Sequence, residues 1–186
     1  LLSKPTAMAF PLVVLGLDLF YRRSFTRKLI LEKLFFFAFA IAIGLLIIYA
    51  REEAGHIIDI SGRFGWGERV LMVIYALSFY IARLFAPFGL SAFHPYPSDG
   101  LGVEYYIAPL VLLMLLFLLW KLRGEPRRQV MVGMLFFLLN MVIVLDLIPV
   151  GVQVVKERYA YLPGIGMYYA FSVLLLFLFS VKRRWL

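Results

Sequence analysis

Between Asp146 and Tyr169 the sequence reads DLIPVGVQVVKERYAYLPGIGMYY, which sets ionisable groups between two long apolar runs. Asp146 ends one run, and Lys156, Glu157 and Arg158 stand just before the next. A charge held at the edge of a hydrocarbon layer costs free energy unless it is paired or hydrated, so such clusters mark pathways or sites. Pro149, Gly151, Pro163, Gly164 and Gly166 frame the cluster. They break helices and let backbone approach a ligand. The chemistry within reach is the stabilisation of a phosphate charge, for which Arg offers a bidentate fork and Lys a point charge. The plainer alternative is an interfacial loop whose Arg and Tyr residues anchor two helices at the headgroups.

The elements that position these groups belong to a membrane. With 63% hydrophobic and 16% charged residues, the chain lacks the polar surface that a soluble domain needs. Uncharged runs recur at 34–50, 105–120, 129–145 and 159–181, with lengths near the roughly 17–25 residues that cross hydrocarbon as helix. The net charge of +8 comes mostly from Lys and Arg in short loops, which is a topology signal and no sign of nucleic-acid binding. Cysteine is absent, and His56 and His94 have no neighbouring ligand spacing, so no metal site is expected.

The loop from Arg22 to Lys33 carries five basic residues against Glu32 and is expected to be cytoplasmic, with anionic lipid as a contact. That assignment puts Lys4, ahead of Pro5, on the outer side. Segment 69–90 is apolar enough to span, but a crossing there would send the basic stretch from Lys121 to Arg128 outward. It is therefore expected to lie along the outer interface or to re-enter it, with Arg83 partly solvated. The expected fold is an all-α polytopic helix bundle with spans at 1–21, 34–50, 105–120, 130–148 and 161–181, plus the interfacial helix at 69–90. Lys4, Arg83, His94, Tyr96, Glu157 and Arg158 then share the outer side. Asp18 and Asp146 read as helix-end residues, and Gly164-Ile165-Gly166 as a helix-packing site. The opening at Leu1, without Met and already in an apolar stretch, reads as an internal piece of a longer protein.

Three blocks carry a resemblance. They are LSKPTAMAFPLV (2–13) with Leu17-Asp18, then Arg83-Leu-Phe-Ala-Pro87 with LSAFHPYP (90–97), then KERYAYLPGIG (156–166). In this order they resemble the membrane domain of the transmembrane and tetratricopeptide-repeat O-mannosyltransferase group and its bacterial relatives, within the GT-C glycosyltransferase superfamily. The similarity covers essentially the whole chain, as the second half of that domain. Gly164 departs from the group's pattern, which more often has Ser there.

The resemblance implies inverting transfer of a sugar from a polyprenyl-phosphate donor to a hydroxyl of a protein or glycan acceptor, on the non-cytoplasmic side. The membrane would be the bacterial cytoplasmic membrane or that of the endoplasmic reticulum. The catalytic acid would lie upstream of Leu1 and the repeat domain downstream of Leu186, so no catalytic residue is assigned within this chain. On this reading Lys4, Arg83 and Arg158 bind the donor phosphate; His94, Tyr96, Tyr159 and Tyr161 shape the sugar or acceptor side, and Glu157 pairs with or orients Arg158. The lipid-phosphate-linked sugar would serve as donor, and no cofactor is assigned. Expected partners are membrane lipids and the remainder of a longer chain or complex. The competing class is a non-catalytic membrane subunit or scaffold, favoured by the lack of a complete acid-base set. A transporter fits less well, because no charge sits at a midplane within a broken helix pair.

Overall fold

The computed structural model describes residues 8–21, 23, 26–53, 63–89, 91, 93–98, 100–145 and 153–183. Among them the chain forms helices α1 (Phe10–Phe20), α2 (Arg27–Glu53), α3 (Trp66–Phe85), α4 (Val103–Lys121), α5 (Gly124–Met141) and α6 (Tyr161–Arg183). A two-stranded antiparallel ribbon joins β1 (His94–Pro95) to β2 (Gln153–Val155), and a 3-10 turn at Glu157–Tyr159 leads into α6.

Three helices are long and apolar enough to cross a membrane, over Arg27–Ala50, Val103–Lys121 and Tyr161–Ser180. This is fewer than the five expected from the apolar runs. Helix α1, with 11 residues, is about 16 Å long, against a hydrocarbon core of about 30 Å. Helix α5 opens on Gly124 with Glu125, Arg127 and Arg128 in its first turns, and stops at Met141 where the expected run continued to 148. There the Val144 and Leu145 amides both donate to the Met141 carbonyl, tightening the last turn.

The basic segment expected as a loop is partly helix. Helix α2 begins at Arg27 because Thr26 caps it, its hydroxyl accepting the Leu29 N–H at 3.3 Å. Lys33 is consequently carried into the protein, only 5% exposed, with Nζ 2.6 Å from Asp18 Oδ2. Arg23 bridges Asp18 at 3.4 Å and Glu32 at 3.3 Å. Asp18 thus does more than end a helix: it holds the α1–α2 corner as the counter-charge that a buried Lys requires.

Helices α5 and α6 make the tightest seam. A Cβ added at Gly133 would meet the carbonyl oxygen of Gly166, and one added at Gly166 would meet that of Gly133, so backbone lies on backbone. Helix α3 falls within the expected interfacial segment and lies over the ends at which α4 and α6 begin. The Ser78 hydroxyl donates to the Ala108 carbonyl at 3.0 Å, and the Tyr75 ring stands 4.3 Å from Tyr105. At its other end the Tyr168 hydroxyl donates to the Leu84 carbonyl at 2.9 Å, and Phe85 stacks obliquely on Phe171 at 4.9 Å. Met72, Ala76 and Tyr80, spaced four apart on one face of α3, are buried in the core with Phe137, Met141 and Val155.

Candidate functional site

The second half of α3, the turn-rich segment after it and the lead-in to α6 meet at one place. Past Phe85 the chain turns back through Gly89, whose φ of 61° is readily adopted only without a side chain, and this sets the turn beside the Arg83 guanidinium. Segment 93–98 then runs alongside 153–157, with His94 opposite Val155 and Pro95 opposite Gln153. Val154 and Val155 bury themselves against the core, which fixes the ribbon in place. The Tyr80 hydroxyl, reaching up from α3, accepts the Lys156 N–H at 2.7 Å.

On this framework His94 Nε2 lies 2.8 Å from Glu157 Oε1. The same carboxylate oxygen accepts the Ser91 N–H at 3.4 Å. The His94 ring stands edge-on to Phe79 at 5.0 Å, and the Arg83 guanidinium covers the Phe79 ring at 4.7 Å. Arg83, Phe79, His94 and Glu157 therefore form a continuous chain of contacts between α3 and the start of α6. Burial pushes the Tyr75 hydroxyl above its ordinary pKa, with the Glu104 carboxylate adding to the shift and the Arg83 guanidinium opposing it.

The other expected residues divide. Tyr96 joins the ribbon to Phe64, ring to ring at 6.5 Å, and Tyr159 packs against the central core. Tyr161 opens α6 and is 60% exposed. Arg158 is exposed, with its guanidinium 5.0 Å above the Tyr159 ring. The expected pairing of Glu157 with Arg158 is replaced by the pair with His94. The 3-10 turn, closed by the Tyr159 N–H on the Lys156 carbonyl, places Glu157 toward the ribbon, whereas Arg158 rests on Tyr159. Lys4 lies outside the described residues, as do Asp146, Pro149 and Gly151.

Phe79, Tyr80 and Ser91 were not among the expected site residues. The signal that could have found the first two is their place on α3 beside the core-facing positions Met72 and Ala76. Ser91 carries no such signal. Among the described residues no three His, Asp or Glu side chains gather as a metal ion would require. Comparison of the chain with family models, curated proteins and solved structures gives no match.

Proposed function

We propose that this chain is part of a membrane-embedded glycosyltransferase of the GT-C type, acting on a polyprenyl-phosphate sugar at the non-cytoplasmic face. The supporting observation is the 2.8 Å contact between His94 and Glu157. It joins two of the three sequence blocks, 83–97 and 156–166, on which the resemblance to that superfamily rests. Arg83 reaches the pair through Phe79, whereas Arg158, next to Glu157 in the chain, lays its guanidinium on the Tyr159 ring.

In the proposed reaction the acceptor hydroxyl oxygen attacks the anomeric carbon as the bond from that carbon to the phosphate oxygen breaks. The hydroxyl proton passes to a base, and the lipid phosphate departs with the negative charge. Arg83 and Arg158, with Lys4, would stabilise that charge as it develops. Tyr96, Tyr159 and Tyr161 would bound the sugar and acceptor space, and Glu157 would orient His94. In this reading α1 and α5 complete their crossings within the full bundle, giving five spans with α3 laid on the outer interface.

The test is transfer. Full-length protein in vesicles, supplied with polyprenyl-phosphate mannose and a Ser/Thr-rich peptide, is expected to glycosylate the peptide. Failure with that and other polyprenyl-phosphate hexoses, by protein that remains folded, would reject the reading. A second reading, a non-catalytic scaffold, draws on the same geometry, because Glu157 binds both His94 and the Ser91 amide and so fastens two loops. If transfer is found and Glu157→Gln abolishes it without loosening the loops, the scaffold reading falls.

A further inference from the structure

A second feature lies at the other end of the bundle. Helix α4 is fastened at its start by α3, through Tyr105 and Ala108, and at its end by the short turn into α5. Between those points it stands away from the α5–α6 pair, leaving a groove of about 610 Å³ roofed by Ile81 and Phe85. That volume falls in the range of about 300–1,000 Å³ typical of ligand sites. Along α6 the groove runs from Met167 to Leu178, which is about 16 Å at 1.5 Å per residue. This is roughly half of a 30 Å hydrocarbon core, the depth of one leaflet.

Every described residue of the lining is apolar except Lys121, which sits where α4 ends. Its ammonium lies over the Phe117 ring at 5.1 Å, which holds the charge at the groove's rim. Arg123 and Arg127 are exposed on the adjoining turn and first helical turn of α5. Arg128 is held beside them, donating to the Phe20 carbonyl at 3.2 Å.

We infer that this groove binds one acyl chain of an anionic phospholipid from the leaflet on the basic side, with the headgroup phosphate at Lys121. The apolar lining matches a chain, its length matches one leaflet, and the single cation stands at the end where a headgroup emerges. Charge complementarity selects an anionic lipid over a zwitterionic one, since a cluster of Lys and Arg next to a span attracts the anionic surface. The site is separate from the His94–Glu157 pair and does not depend on a sugar-transfer role.

The test uses full-length protein in phosphatidylcholine vesicles containing phosphatidylglycerol, a trace of which carries a diazirine in one acyl chain. Illumination is expected to label residues 115–122 of α4 and 174–178 of α6. Lys121→Gln should lower that labelling about fivefold, the factor expected for one lysine near an anionic surface, while labelling of α2 stays constant. Leu175→Trp, which occupies the groove and leaves Lys121 in place, should also lower it. If Leu175→Trp fails to fold, the lysine variant alone decides. Equal groove labelling by the matching diazirine phosphatidylcholine, or labelling indifferent to Lys121→Gln, overturns the inference. So does an unlabelled groove, the outcome if another segment of the protein covers it.

Discussion

The Tyr80 hydroxyl accepts the backbone N–H of Lys156 at 2.7 Å, and Tyr80 is only 1% exposed. One buried phenol on α3 thereby sets the height of the strand that delivers Glu157 to His94. Tyr80→Phe keeps the ring and removes the acceptor, leaving the Lys156 amide without this partner. The expected loss is about 1–3 kcal/mol of stability, seen as a lower midpoint of thermal unfolding in detergent. An unchanged midpoint would mean that the bond contributes nothing net.

Glu157→Ala releases both His94 and the Ser91 amide. Because the described ribbon has only two and three residues in its strands, it cannot hold segment 86–98 unaided. Limited proteolysis is expected to cut that segment faster in Glu157→Ala than in the parent, and Glu157→Gln, which keeps a hydrogen-bonding oxygen, should fall between them. Identical cleavage rates in all three proteins would show that the pair does not fasten the loop.

Gly133→Ala and Gly166→Ala each insert a Cβ where the opposite helix presents a backbone carbonyl. Forcing α5 and α6 apart is expected to cost about 1–3 kcal/mol in either variant. The double variant should cost less than the sum of the two, because the first separation already makes room for the second methyl. Denaturation of the four proteins side by side reads this directly, and strict additivity would argue against a shared seam.

The chain has no cysteine, so single cysteines report sidedness cleanly. Helix α4 separates Ser98 from Glu125, and an impermeant thiol reagent is expected to reach Ser98→Cys from one side of sealed vesicles and Glu125→Cys only from the other. Labelling of both from the same side would show that α4 does not cross.

If Arg158 stabilises a departing phosphate, Arg158→Ala in the full-length protein should slow transfer by about 10²–10³, or about 2.7–4 kcal/mol in the barrier. Lys28→Ala, at the opposite end of the bundle on α2, is the matched loss of one charge. Equal rates for the two variants would remove Arg158 from the donor site.

Much of the helical framework was legible because long apolar runs admit few other structures in a bilayer. The start of α2 was not, since Arg27, Lys28 and Lys33 look like loop residues until Thr26 is seen as a cap and Asp18 as a buried counter-charge. The run lengths pointed to five crossings, whereas three helices among the described residues are long and apolar enough to span: hydropathy registers apolar length but not where Met141 tightens the last turn. At the site, the residue types in 90–97 and 156–166 were visible, but their pairing was not. A ribbon this short, with Pro95 in one strand, leaves no alternation pattern, and 63 positions separate His94 from Glu157. Nearest-neighbour reasoning gave Glu157 to Arg158, and only the direction of the 3-10 turn assigns it to His94.

Helix α4 behaves mechanically as a bow strung at its two tips. Between its tips it has, among the described residues, no glycine seam or polar lock to the α5–α6 pair, and Pro109 removes one backbone hydrogen bond from the helix, so outward flexing is resisted there by apolar contacts such as that of Leu119. The α5–α6 pair, backbone against backbone, is the stiff stave. A change in bilayer thickness or lateral pressure would therefore be taken up mainly by α4 and passed at its upper tip to Tyr105, Tyr75 and the rest of α3. From there the contacts of Phe79 and Tyr80 lead on to the pair formed by His94 and Glu157.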